Sequence, residues 1–132
     1  MYDSVGLEVL SRQECLELLG STTIGRLVFT DRALPMVHPV VYALDGESVV
    51  LRVPEGSTTL GARDGIVAFE IDEIAKDLSR GWSVMAVGHV TEVLDEAVLD
   101  RLRGLPLASR PHGRADHYLQ VELEVLTGRR IP

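Results

Sequence analysis

Residues Ile24 to Leu60 read IGRLVFTDRALPMVHPVVYALDGESVVLRVPEGSTTL, and the fold follows from this stretch. Thr23 to Thr30 predicts a strand, with Leu27 and Phe29 pointing one way, Ile24 and Val28 the other, and Arg26 among them. Asp31-Arg32-Ala33 turns the chain. Pro35 to Leu44 predicts the next strand, with Met36, His38, Val40 and Tyr42 on one face and Val37, Val41 and Ala43 on the other. Pro39 cannot donate to a ladder, so it marks an edge, a bulge or a point where pairing opens. Asp45-Gly46 is a strong hairpin turn, after which Val49 to Val53 returns antiparallel. A short helix then opens on Gly56-Ser57-Thr58-Thr59-Leu60. Its first N–H groups and three hydroxyls form a seat suited to a phosphate.

Upstream, Ser11-Arg12-Gln13-Glu14 is a capping box, with Leu10 and Cys15 placed as its hydrophobic staple. Cys15, Leu18 and Leu19 share one face of a helix that ends at Gly20. Downstream, Ile66 to Ile71 is a mostly apolar strand and Glu73 to Arg80 a polar excursion. Trp82 to Val93 is a long strand, with a bend or bulge expected at Gly88. Asp95 caps a second helix carrying Val98, Leu99 and Leu102 on one side. Gly104 to Ala115 is a loop. His117 to Val125 alternates as one half-buried strand, its odd-numbered residues inward, and the tail Thr127 to Pro132 follows.

About six strands at hairpin spacing with only short helices predict a mainly β, antiparallel barrel in a single domain, residues 1–132. Several strands are apolar on both faces, yet a small barrel has one interior. A homodimer interface is the simplest cover for the surplus. Net charge is −7, with 20 acidic against 13 basic residues, and aromatics are only 5%. Both facts argue against nucleic-acid binding. No apolar run approaches a membrane span, and no signal peptide is evident. One cysteine, expected in the core, suits a reducing, cytoplasmic setting.

Arg52 stands in an apolar strand just before the hydroxyl turn, either reaching a phosphate or snorkelling at the surface. Ser57, Thr58 and Thr59 can cap the helix and bind a phosphate together. His38 is a core histidine or a proton donor near a bound group. His112 and His117 lack metal-ligand spacing and are expected in a solvated loop. Glu70 is expected to pair with Arg26 or Arg52. No nucleophile elbow, P-loop or dinucleotide fingerprint is present.

Gly25-Arg26-Leu27-Val28-Phe29, Met36 through Gly46, Gly56 through Leu60, Val67 through Asp72, Gly81 through Val84 and Thr127 through Ile131 occur in order with compatible spacing. Together they resemble the small pyridoxamine 5′-phosphate oxidase-like proteins over nearly the whole chain. The resemblance implies a split β-barrel that dimerises, with FMN at the dimer interface, and a flavin-dependent oxidoreductase acting on a small molecule. It implies phosphate contacts from Ser57, Thr58, Thr59, Leu60 and Arg52. The isoalloxazine would lie along Pro39, Val40 and Tyr42. Trp82 and Ser83 would close the site, and Arg129 would reach in from the partner subunit. Relatives usually carry lysine, or an Arg-Lys pair, at the positions of Thr58 and Thr59. Losing one charge-assisted hydrogen bond, about 1.5–3 kcal/mol, weakens phosphate binding roughly ten- to a hundred-fold. Met85 sits where the oxidase proper has arginine, so pyridoxamine phosphate is not the expected substrate. The alternative is a binding module on the same scaffold holding a deazaflavin, a haem or only a partner chain.

Overall fold

A computed structural model describes residues 1–107 and 116–132. In chain order these form β1 (Glu8–Val9), α1 (Arg12–Leu19), β2 (Ile24–Asp31), β3 (Leu34–Asp45), β4 (Ser48–Val53) and a 3-10 turn (Thr58–Ala62). There follow β5 (Ile66–Ile74), β6 (Gly81–Glu92), α2 (Glu96–Leu102), β7 (His117–Glu122) and β8 (Val125–Arg130). Every strand pairing is antiparallel.

Two strands close the barrel by changing partners along their length. β3 pairs with β2 through Val41, then with β4 from Tyr42 onward. Pro39 therefore lies opposite Arg26 on a stretch of β3 that β4 does not pair, which is where a residue without an N–H is tolerated. β6 pairs with β8 from Trp82 to Val87 and with β7 from Val90 to Glu92. The circuit β6-β5-β2-β3-β4-β7 returns to β6, giving a closed six-stranded barrel, with β8 and β1 continuing the sheet beyond β6. This is the split barrel, flanked by two short helices.

Gly88 sits at the switch of partners, but its register against β5 is unbroken, so there is no bulge. The reason for glycine is a close approach: a Cβ there would lie 1.7 Å from the Glu122 carbonyl oxygen.

The expected single strand from His117 to Val125 is two strands. Leu123 leaves β7 and gives its N–H to the Glu47 carbonyl, and the chain crosses to the far edge of β6 as β8. The crossing resets the alternation, so Val125, expected inward, is 53% exposed. Tyr118, expected outward, is buried with Val50 and Leu102 beneath α2. β5 likewise runs on to Ile74, which shortens the polar excursion to a turn. The predicted loop from Gly104 extends beyond the described residues, and His112 lies outside them.

The interior is filled by Leu27, Phe29, Val49, Leu51, Phe69, Ile71, Val84, Ala86, Leu119 and Val121. α1 closes one end, where its capping box forms as predicted. Cys15 is buried, and burial raises its thiol pKa, so it is a core residue.

Candidate functional site

The chain leaves β4 through Pro54-Glu55-Gly56, and Gly56 adopts φ +80°, which favours glycine. Ser57 then caps the 3-10 turn, its Oγ accepting the Thr59 N–H at 3.2 Å. That oxygen accepts, so its own proton is left to donate. Thr58 is exposed beside it. Thr59 is buried, and its Oγ1 lies 2.9 Å from Nδ1 of His38, whose ring meets Phe29 edge-on at 5.0 Å. Leu60 packs half-buried against the core. His38 thus braces the turn from β3, a link that sequence spacing does not reveal.

Arg52 forms an ion pair with Asp116 at 3.3 Å, both side chains 13% exposed. It is therefore not a snorkelling surface arginine.

A second polar network adjoins the turn. His117 lies between two carboxylates, with Nδ1 2.5 Å from Glu92 and Nε2 2.6 Å from Glu55. Both ring nitrogens face ionised acceptors, so the imidazolium is the species that satisfies both. Those contacts, with Glu55 first and Glu92 second, raise the His117 pKa. Glu92 is lowered by Arg63, 2.9 Å away, and by His117. Glu55 is lowered by His117. His117 opens the strand as expected, but it is only 19% exposed rather than solvated, because two carboxylates distant in sequence converge on it.

Beside this network runs an open groove of about 510 Å³, lined by Leu60, Arg63, Asp64, Thr91, Glu92 and Leu94. It shares Leu60 with the hydroxyl turn.

Other predicted residues lie elsewhere. Trp82 packs against the core at the start of β6. Ser83 pairs with Arg129 on β8, and Arg129 donates to Asp3 at 3.0 Å. Val40 is half-buried against the core, and Pro39 is exposed on the outer face. Tyr42 is 1% exposed. Its hydroxyl donates to the Leu19 carbonyl at 2.6 Å and lies 2.5 Å from Thr22 Oγ1, and its ring packs edge-on to Phe69. The side chain therefore fastens α1 to the barrel.

The outer face of the sheet carries an apolar row across five strands. Val37 pairs with Val28, Val28 with Ala68, Ala68 with Val87, and Val87 with Val125. Beside it, Arg26 bridges Glu70 at 3.0 Å and Asp72 at 3.2 Å. Burial first, and then Asp72, raise the Glu70 pKa against the pull of Arg26.

Residues 11–130 match the pyridoxamine 5′-phosphate oxidase family. The chain belongs to that family. A Mycobacterium tuberculosis (strain ATCC 25618 / H37Rv) relative, the uncharacterised protein Rv0080, is 33% identical over 92% of this chain and 84% of its own. The solved FAD binding protein from Mycobacterium smegmatis is 30% identical, with a TM-score of 0.85 over 94% of this chain and 98% of that one. A FAD-binding protein from Mesorhizobium loti, 21% identical, shares the fold with a TM-score of 0.75 over 96% and 99%.

As a pyridoxamine 5′-phosphate oxidase family member, the chain has one lysine, Lys76, distant in sequence from the turn. Sequence reasoning missed Arg63, Glu92 and Leu94 because they come from two segments, the end of the 3-10 turn and the end of β6, brought together by the β5–β6 pairing. Leu94 alone carried a signal, a leucine between a strand end and the Asp95 helix cap.

Proposed function

We propose that this chain binds a flavin by its ribityl phosphate at Ser57, Thr58, Thr59 and Leu60, with Arg52 in support, and works as a homodimeric oxidoreductase on a small molecule. The observation that carries this reading is the donor chemistry of the turn. Ser57 keeps a hydroxyl proton to give, Thr58 is exposed, and His38 holds Thr59 in place. Hydroxyl donors of this kind suit a phosphate without a lysine, at lower affinity. A family relative 30% identical is named for FAD binding, which supports the flavin class. FMN and FAD carry the same ribityl phosphate.

A bound flavin supplies hydride and electron transfer, while the protein positions it and excludes water. Pro39 and Val40 stand along β3 for the ring system. Trp82, Ser83 and Arg129 lie at the β6–β8 end. In this reading a second copy seats on the Val37–Val28–Ala68–Val87–Val125 row, and its Trp82, Ser83 and Arg129 close the site, as the family resemblance implies. The unpaired, buried Cys15 accords with a reducing, cytoplasmic setting.

Light scattering on a sizing column should give twice the chain mass, and Val37→Asp should shift the protein toward monomer. Purified protein should show flavin absorbance, or acquire it on titration, and the bound flavin should be reduced by NAD(P)H. Absence of binding to FMN and FAD at high micromolar concentration refutes the flavin. Flavin that binds but is reduced by neither NAD(P)H nor any small-molecule donor, and is not reoxidised by an acceptor in turnover, leaves the binding module and refutes the oxidoreductase.

A further inference from the structure

We infer that His38 sets the specificity of the hydroxyl turn for an anion: its ring must donate to Thr59, so that the Thr59 hydroxyl is left to donate in turn. The inference rests on the flavin reading above and deepens it, since it makes His38 the positioning residue that favours a phosphorylated flavin over an unphosphorylated one. Sequence spacing leaves His38 either a core histidine or a proton donor to a bound group. The geometry gives it a third role, exercised through Thr59.

Gly56 to Leu60 contains no cation, so an anion held there depends on the direction in which each hydroxyl donates. Ser57 is committed, because its Oγ accepts the Thr59 N–H at 3.2 Å and its own proton is left over. Thr59 is not. Its Oγ1 lies 2.9 Å from His38 Nδ1, and that contact can run either way. With a proton on Nε2 alone, Nδ1 accepts the Thr59 hydroxyl proton, and only oxygen lone pairs remain for an incoming group. With a proton on Nδ1, the ring donates and the Thr59 proton is free for a phosphate oxygen. The Nδ1–H tautomer and the imidazolium both meet this condition. A relay from ring N–H to hydroxyl to anion polarises each bond in the same sense.

The ring is held for this task. Phe29 meets it edge-on at 5.0 Å. Pro39 follows it and confines His38 to extended backbone, opposite Leu27 on the stretch of β3 that β4 leaves unpaired. Thr59 is 8% exposed, so its hydroxyl has little water to turn to, and the bond to His38 fixes its direction. The consequence differs between ligands. A phosphate dianion offers acceptors only, so it needs the arrangement in which Thr59 donates. The terminal hydroxyl of riboflavin donates or accepts, so it meets either arrangement.

The test is titration of the full-length protein, stripped of any bound flavin, with FMN and separately with riboflavin. His38→Phe keeps a ring and removes the N–H, and should weaken FMN binding about ten-fold and riboflavin binding less than about two-fold. His38→Asn, whose amide can donate from the position of Nδ1, should recover most of that loss. Thr59→Val should weaken FMN binding as His38→Phe does, and the double variant should bind no more weakly than either single one. In the wild type saturated with FMN, the nitrogen NMR shifts of the His38 ring should place a proton on Nδ1, a measurement that needs no variant to fold. A complex with the proton on Nε2 alone, or a loss in His38→Phe shared equally by FMN and riboflavin, overturns the role of His38 and leaves the flavin reading standing. Equal wild-type affinity for FMN and riboflavin overturns the phosphate seat and the role of His38 together, with a flavin still bound. Absence of FMN binding overturns the inference, and absence of FAD binding as well overturns the flavin reading with it.

Discussion

Replacing His117 with phenylalanine keeps a ring at the start of β7 and removes both N–H donors. Two limbs are lost, and they are unequal. The Nε2 limb ends on Glu55, whose side chain is 64% exposed, so that pair is solvated and adds little. The Nδ1 limb ends on Glu92, 18% exposed and also held by Arg63. A hydrogen bond to a charged group there contributes about 1.5–3 kcal/mol. The expected loss is therefore about 1.5–3 kcal/mol near pH 6, or a urea midpoint lower by about 1 M for a slope near 2 kcal/mol/M.

The sign with pH is fixed by the shifts. The His117 pKa is raised in the fold, so its contribution is complete below the ordinary histidine value of about 6.5 and is lost as pH rises through the raised one. Glu92 and Glu55 are lowered, so their share holds above the ordinary carboxylate range and is lost in acid. Wild type and His117→Phe should differ most between about pH 4.5 and 6.5, and the gap should narrow as pH rises through the raised His117 value. Urea unfolding at fixed protein concentration, followed by tryptophan fluorescence, reads this directly. A gap that stays constant from pH 6 upward through the alkaline range would mean that the ring acts by packing, and the charge argument would be refuted.

Arg32 and Ala33 form a two-residue hairpin turn with φ of 51° and 65°, so Ala33→Gly should raise stability by about 0.5–1 kcal/mol in urea unfolding. Gly88→Ala should abolish soluble expression or cost more than about 4 kcal/mol, since the added methyl meets the backbone of Glu122. Tyr42→Phe should cost about 1–2 kcal/mol, because the Leu19 carbonyl loses its donor at the α1 end; unchanged thermal unfolding would refute the role assigned to that hydroxyl.

Much of the barrel is legible in the sequence because its signals are local. The Asp45-Gly46 turn, the Ser11 capping box and the alternation of β2 depend on neighbours within a few residues. Pro39 is legible for the same reason, since its missing N–H limits where the strand can be paired. What local signals cannot show is a change of partner. Nothing near Leu123 and Glu124 announces that the chain crosses to a new edge, so one alternating run hid two strands. The site suffers the same way: His117 meets carboxylates 25 and 62 residues away, and His38 meets Thr59 21 residues away.

The doubly apolar strands show where periodicity stops and topology takes over. In β4, Val49 and Leu51 line the barrel interior while Val50 is buried with Tyr118 and Leu102 of α2. That outer face is covered by the chain itself. In β2, β5 and β6 the same pattern leaves Val28, Ala68 and Val87 in a row bounded by the exposed Val37 and Val125. From sequence the two outer faces look alike, since both alternate apolar with apolar. They differ because α2, of seven residues, packs over the β4–β7 side and lies away from the row. The uncovered row is the surface that the proposed dimer uses, and Arg26, Glu70 and Asp72 beside it would be buried together. Two of those three groups are acidic, and Glu70 is already raised by burial within one protomer. Closing a second copy over them penalises the charged carboxylates further, so association should strengthen as pH falls toward the raised Glu70 value. Sedimentation across that range decides it: a dissociation constant that does not tighten in mild acid would place the interface on another face.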